Sequence, residues 1–154
     1  MNYKQLFFTF LLASSSFFLY ARSDCKHSSS VFKCLTYLDN YDGDTITVHI
    51  PDTHPLFGEA IKVRIIDIDT PEIHGTTSCE KDRALYVKEY VKSLLSGAKY
   101  LELRSPSRDK YFRVLGDIWF DGKSLKNLLL EKKFAIPYDG GRKIDYDWCQ
   151  TIKL

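Results

Sequence analysis

The stretch Ile61-Lys62-Val63-Arg64-Ile65-Ile66-Asp67-Ile68-Asp69-Thr70-Pro71-Glu72 decides the fold. Its β-branched residues, Ile61 to Ile68, fit a pleated strand, and Pro71 stops it because proline has no N–H for a ladder. The segment Asp69-Thr70-Pro71-Glu72 therefore sits at a strand exit. Strict alternation would put Arg64 and Asp69, five positions apart, on opposite faces. For both to serve one site, the strand must bend or bulge near Ile66 to Ile68.

Upstream, Val31 to Leu38 and Thr45 to Ile50 are also β-rich, and Asp39-Asn40-Tyr41-Asp42-Gly43 between them is dense in turn residues. Pro51 to Gly58 reads as a loop. Downstream, Thr77-Ser78-Cys79-Glu80 matches a capping box, and Ala84, Val87, Val91 and Leu94 repeat at helical spacing, predicting a helix over 79–96 that ends at Gly97. A short strand follows at Tyr100 to Arg104, then a longer one at Phe112 to Phe120 that ends in an Asp121-Gly122 turn. Leu125, Leu128 and Leu129 mark a second helix to about Lys132. Tyr138 to Trp148 is a loop by composition. Three short strands, a helix, two strands and a helix suit a small barrel better than a parallel α/β sheet. The expected fold is mainly β with α: a five-stranded OB-fold barrel with two to three helices. Phe112, Trp119, Phe120 and Phe134 are expected in its core.

Residues 1–21 read as a signal peptide, with Lys4 as the early charge, an apolar run from Leu6 to Tyr20 and Ala21 as the cleavage position. Such a run is shorter than the roughly 20 residues a spanning helix needs. Residues 22–154 are then a single domain with no repeat or linker, exported to the periplasm or outside the cell, and not membrane-bound. The whole chain has a formal charge of +2, which falls to about +1 in the exported segment once Lys4 is removed, so polyanion binding must come from a local basic patch. Cys25, Cys34, Cys79 and Cys149 all fall in that exported segment, where disulfides persist. No Cys-x-x-Cys is present, which argues against zinc or thioredoxin-like redox chemistry. Of the three pairings, Cys25 with Cys34 and Cys79 with Cys149 are favoured.

Asp42-Gly43-Asp44-Thr45 has a piece of an EF-hand loop, but setting Gly43 at loop position 6 puts Leu38 and His49 where Asp and Glu are required. Joined with Asp69 and the Thr70 carbonyl it makes an oxygen site suited to Ca²⁺. Arg64 and Arg113 each offer a planar fork matching two phosphate oxygens. In three ordered motifs the chain resembles the thermonuclease (staphylococcal nuclease) family, an OB fold of secreted, calcium-dependent nucleases. The motifs are DGDT at 42–45, an arginine five residues before the aspartate of DTPE at 69–72, and DKYxR at 109–113. The likeness spans roughly residues 31 to 138.

The resemblance implies that Asp44, Asp69 and the Thr70 carbonyl hold one Ca²⁺, with Asp42 in support. It also implies that Arg64 and Arg113 grip the scissile phosphate, that Glu72 positions or deprotonates the attacking water, and that Lys110 and Tyr111 contact a neighbouring phosphate. Charge that develops on a phosphodiester under in-line attack is stabilised by this grouping of a cation and two arginines. Tyr138 and Tyr111 are candidates for stacking on bases. His74 competes with Glu72 as general base because imidazole titrates nearer neutrality. Asp67 is either a surface charge or an additional acid beside the metal. Ala135-Ile136-Pro137-Tyr138-Asp139 replaces a more aromatic stretch of the best-known members and leaves base preference open. The expected activity is a monomeric endonuclease on DNA and RNA, favouring single strands and frayed duplex and leaving 3′-phosphate ends. The alternative is an OB-fold module that binds nucleic acid without cutting it.

Overall fold

The computed structural model describes residues 24–74, 77–109 and 111–153. The signal-like segment at 1–21 and Lys110 lie outside them. The first β-rich run is two strands, β1 (Val31–Lys33) and β2 (Thr36–Asn40), divided by a corner at Cys34, whose φ is 55°. β3 (Thr45–His49) pairs antiparallel with β2. The expected loop after it holds a single helical turn, α1 (Pro55–Gly58). Pro55 opens the turn with the φ a helix needs, and the His54 ring accepts the Leu56 N–H at 3.2 Å.

The run from Ile61 also divides, into β4 (Ile61–Ile65) and β5 (Ile68–Asp69). Between them Asp67 adopts φ 61°, a left-handed conformation that aspartate tolerates better than most side chains. The required break is therefore present. The Asp67 carboxylate is 70% exposed and bonded to Lys126 Nζ at 3.1 Å, so it is a surface charge.

α2 (Ser78–Ser96) follows the predicted helix closely. The Thr77 hydroxyl caps it by accepting the Glu80 N–H at 3.1 Å, and Ala84, Val87, Val91 and Leu95 form its buried stripe. Each of the larger side chains adds roughly 1.5–3 kcal/mol by leaving water. β6 (Leu101–Arg108) is longer than expected because Pro106, which has no N–H to give, lies in an irregularity between Arg104 and Ser107, beside Ser105, whose N–H donates to the Ser30 carbonyl at 2.9 Å. β7 (Val114–Phe120) starts later than Phe112. It is followed by β8 (Lys123–Ser124), α3 (Leu125–Glu131), β9 (Ile136–Pro137) and α4 (Trp148–Thr151).

Hydrogen-bonded neighbours run β1-β6-β7-β4-β3-β2, with β8 attached to β7 and β5 paired separately to β9. Among the described residues only β4 and β7 are paired in parallel. Among the described residues the ladder does not close into a ring. Its two end strands, β1 and β2, are instead consecutive in the chain and joined through the Cys34 corner, so the sheet must curl back on itself. Ile46, Val63, Leu103 and Ile118 fill the inside, and α2 packs against them with Val87 and Val91. Cys25 is bonded to Cys34 with Cα atoms 5.4 Å apart, and Cys79 to Cys149 with Cα atoms 6.0 Å apart, which ties α4 to the start of α2. A bridge closing so long a loop adds roughly 2–4 kcal/mol.

Of the four aromatics expected in the core, Phe120 is buried. Phe134 is half-buried between the rings of Tyr86 and Tyr90, and Trp119 is half-buried beneath the Arg104 guanidinium, 3.7 Å from its ring centroid. Phe112 is not core at all: it is 80% exposed, with φ 61°. It belongs to the turn before β7, not to the strand, so the alternation that would have carried it inward never begins. Among the described residues no helix is long and apolar enough to cross a membrane.

The break at Asp67 gives a test of how the strand is built. Asp67→Gly keeps the left-handed geometry and should change stability by no more than about 0.5 kcal/mol. Asp67→Val, which disfavours that geometry, should cost about 1–2 kcal/mol, read as a lower urea midpoint at unchanged m-value.

Candidate active site

The Asp42-Gly43-Asp44-Thr45 turn is held by its own first residue. Asp42 Oδ1 accepts the N–H groups of Asp44 at 3.1 Å and Thr45 at 2.7 Å. Buried Asn40 donates to the Asp42 carbonyl at 2.8 Å and to the Lys88 carbonyl at 3.1 Å, fastening the turn to α2. A Cβ on Gly43 would lie 2.7 Å from Val87 Cγ1 and 3.0 Å from the Thr70 side chain, so only glycine lets the turn pack this close. Asp42 thus serves as the builder of the turn that presents Asp44.

β3 pairs with β4 so that Thr45 faces Arg64, and the Ile65 N–H donates to the Asp44 carbonyl at 2.8 Å. This register brings the Arg64 fork to two carboxylates. Its Nη1 lies 2.5 Å from Asp44 Oδ2 and its Nη2 lies 3.1 Å from Asp69 Oδ1. Asp44 Oδ2 also accepts the backbone N–H of Thr70 at 3.1 Å and its hydroxyl at 2.9 Å. Asp44, Asp69 and Thr70 are all buried. Burial pushes the Asp44 carboxyl up to about 8. The Asp42 and Asp69 carboxylates push the same way, against Arg64 and the Thr70 hydroxyl.

Glu72 is half-exposed at the edge of this cluster. Lys143, from the loop before α4, reaches in to bond both Asp69 Oδ1 at 2.8 Å and Glu72 Oε1. Burial alone would lower the Lys143 ammonium's pKa, but the bonds to Asp69 and Glu72 outweigh it and raise it above the ordinary lysine value. Sequence reasoning missed Lys143, which lies among Gly, Asp and basic residues without periodicity. The available signal was the Cys79–Cys149 pairing, which pins the far end of its loop to the helix that starts just after Glu72. His74 is exposed, its ring 6.4 Å from that of Tyr41.

The parallel register of β4 and β7 sets Val63 beside Val114, which brings Arg113 alongside the strand that carries Arg64. Arg113 ends a turn organised by Asp109. Asp109 Oδ1 accepts the Tyr111 N–H at 2.8 Å and the Arg113 N–H at 3.0 Å, while Oδ2 takes Arg113 Nε at 2.7 Å. Desolvation, the largest single influence, raises the Asp109 carboxyl, but these bonds together prevail and hold it below the ordinary carboxylate value. Two cavities of about 370 Å³ meet at Arg64, Arg113 and Tyr138. One is polar and opens on Asp42, Asp44, Glu72 and Lys143. The other runs past Ile66 and Ile68 to Tyr111 and Asp139. Tyr138 stands between them, its N–H donating to the Asp67 carbonyl at 3.0 Å and its hydroxyl to the Gly141 carbonyl at 2.7 Å.

Four carboxylates, Asp42, Asp44, Asp69 and Glu72, gather here with four cations, Lys62, Arg64, Arg113 and Lys143, of which Arg64 and Lys143 bond the carboxylates directly. Among the described residues no three His, Cys, Asp or Glu side chains form a ready cage for a metal ion. The chemistry nevertheless fits a hard divalent cation, because buried oxygen donors such as those of Asp44, Asp69 and Thr70 are what Ca²⁺ selects. Asp44 and Asp69 would hold it, with the Thr70 carbonyl and water.

A family model described as staphylococcal nuclease homologue matches residues 62–147, more than half of the chain. The SPbeta prophage-derived endonuclease YokF of Bacillus subtilis (strain 168) is 36% identical over 96 residues, which are 61% of this chain and 30% of that protein. Endonuclease YncB of the same organism is 35% identical over 96 residues, 61% of this chain and 43% of its own length. The chain spans less than half the length of either relative.

The raised Asp44 sets the sign of a pH effect. Its folded pKa lies above the unfolded value, so its contribution is complete below about pH 4 and is lost as pH rises through about 8. In ion-free protein, Asp44→Asn should therefore flatten the fall in urea midpoint between pH 5 and pH 8. Lys143→Gln, which removes a cation bonded to Asp69, should tighten Ca²⁺ binding several-fold by calorimetry, whereas Lys62→Gln, a lysine of the same cavity, should change it less.

Proposed function

This chain belongs to the family of staphylococcal nuclease homologues, and from that premise we propose that it is a Ca²⁺-dependent endonuclease hydrolysing phosphodiester bonds of DNA and RNA. The observation that carries the reading is the buried grouping of Asp44 and Asp69 on the Arg64 fork, opening on a cavity that also holds Glu72 and Arg113. A pure binding module has no use for carboxylates facing the phosphates it attracts. A bound Ca²⁺ would supply positive charge to the phosphate oxygens and make nearby water more acidic.

The remaining work falls to side chains. Arg113, with Nε held by Asp109, presents its terminal nitrogens to two non-bridging oxygens. Arg64 has both terminal nitrogens on carboxylates, so its first task is to keep Asp44 and Asp69 side by side. Glu72 takes the proton from water attacking phosphorus in line, and Lys143 holds its carboxylate beside Asp69. The P–O5′ bond breaks, the departing 5′ oxygen gains a proton, and the phosphate stays on the 3′ end. Single strands and frayed ends are favoured because duplex bases are poorly placed for stacking on Tyr138 and Tyr111. The protein is read as a monomer, exported to the periplasm or beyond, with its disulfides formed there.

The test incubates disulfide-intact residues 22–154 with labelled single-stranded DNA, first with Ca²⁺ and then with chelator. Cleavage should need Ca²⁺, Glu72→Gln should slow it roughly 10²- to 10⁴-fold, and His74→Ala should leave it nearly unchanged. Binding without cleavage would move the chain to the non-catalytic module. A large loss confined to His74→Ala would move the base there.

A further inference from the structure

Phe112 is the most exposed large apolar side chain among the described residues, at 80%. It also sits in the left-handed region, φ 61°, where glycine is at ease and phenylalanine is not. An exposed ring in an unfavourable backbone conformation gives the fold neither burial nor relief, so its presence calls for a use outside the fold. The turn fixes where the ring stands. The Phe112 N–H donates to the Asp109 carbonyl at 3.0 Å, Arg108 Nη1 donates to the Phe112 carbonyl at 2.8 Å, and the Asp109 N–H closes on the Arg113 carbonyl at 3.2 Å. These bonds, with those of the Asp109 carboxylate, hold the turn so that the ring stands in water before any ligand arrives.

The surroundings indicate what covers it. Tyr111, two-thirds exposed, lines the cavity that runs from Arg113 towards Ile68, and its ring lies 5.9 Å from the Arg113 guanidinium. Arg108, bonded to the Phe112 carbonyl, and Arg113, the next residue in the chain, bring positive charge to the same turn. Exposed aromatic rings and guanidinium groups carried by one turn match a nucleic acid strand, with bases on the rings and phosphates on the arginines. A base inside a duplex has both faces occupied, so the match is to an unpaired one.

We infer that Phe112 is a nucleobase-stacking residue that holds an unpaired base next to the phosphate gripped by Arg113 and so sets a preference for single-stranded substrate. This rests on the nuclease reading. Rigid presentation lowers the ordering cost of binding, because the ring is already where the base needs it.

The experiment measures fluorescence anisotropy in Ca²⁺ with the Glu72→Gln protein, which keeps the strand intact, on a single-stranded oligonucleotide and on an abasic strand of equal length. Adding Phe112→Ala should weaken binding to the base-bearing strand roughly 5- to 20-fold, in the range expected for one stacked base. Phe112→Trp should stay within about twofold of the parent, and all three proteins should bind the abasic strand equally. Unchanged affinity of the alanine variant for the base-bearing strand overturns the inference while leaving the nuclease reading in place. An equal loss on both strands overturns it too, since the ring would then be acting through the backbone of the turn. A parent that binds neither strand overturns the nuclease reading and this inference with it. Thermal unfolding confirms that the variants are folded, as expected for the loss of a solvent-exposed ring.

Discussion

One guanidinium holds two buried carboxylates from different strands, and the geometry of the centre depends on it. The side chains of Arg64, Asp44 and Asp69 keep 13%, 4% and 10% of their surface in water. Bringing such charges out of water is costly, and a partner lost from a buried pair leaves the other charge uncompensated at roughly 3–5 kcal/mol. A planar fork is the side chain that meets two acceptors at once; an ammonium would serve as a point charge instead. Even so, one arginine does not neutralise the cluster. Asp44 is raised chiefly by its burial, with the Asp42 and Asp69 carboxylates adding to it, and a divalent cation on the same oxygens would favour the ionised form.

Around this centre the chain divides its elements by stiffness. Asp44 and Arg64 are set by the β3–β4 register, and Asp69 by the pairing of β5 with β9. Arg113 and Lys143 come from connecting segments, the first tied to Asp109 and the second lying across Asp69 and Glu72. A centre on strands with a rim on loops suits recognition of a flexible polymer, because the reacting group needs fixed geometry while the flanking units vary. The Cys79–Cys149 bridge limits how far the Lys143 loop can wander.

Legibility in the sequence followed the range of the interactions. α2 was readable almost to its ends because its cap, its stripe and its terminal glycine are all local. The break in the Ile61 run was also readable, since alternation makes Arg64 and Asp69 incompatible without it. α1 was hidden by a composition that reads as loop. The extent of β6 was hidden by Ser105 and Pro106, which look like an ending until β7 is placed alongside. Hydrophobicity alone places Phe112 in the core, and a turn closed by Asp109 leaves it exposed. Lys143 lies 74 positions from Asp69, and no local pattern connects them.

The sequence by itself determined the kinds of groups available and their order: aspartates at a glycine turn and at a strand exit, two forked cations, a glutamate beyond a proline, and cysteines to staple them. Those follow from side-chain chemistry and from the short periods of strands and helices. Only the tertiary structure decided that the sheet curls through a covalent corner instead of a closed ladder, that Arg64 spends both terminal nitrogens on carboxylates, and that Lys143 reaches Glu72. Each of these is a contact between segments far apart in the chain, fixed by register and by the burial of charge. Neither register nor burial exists until the strands have met.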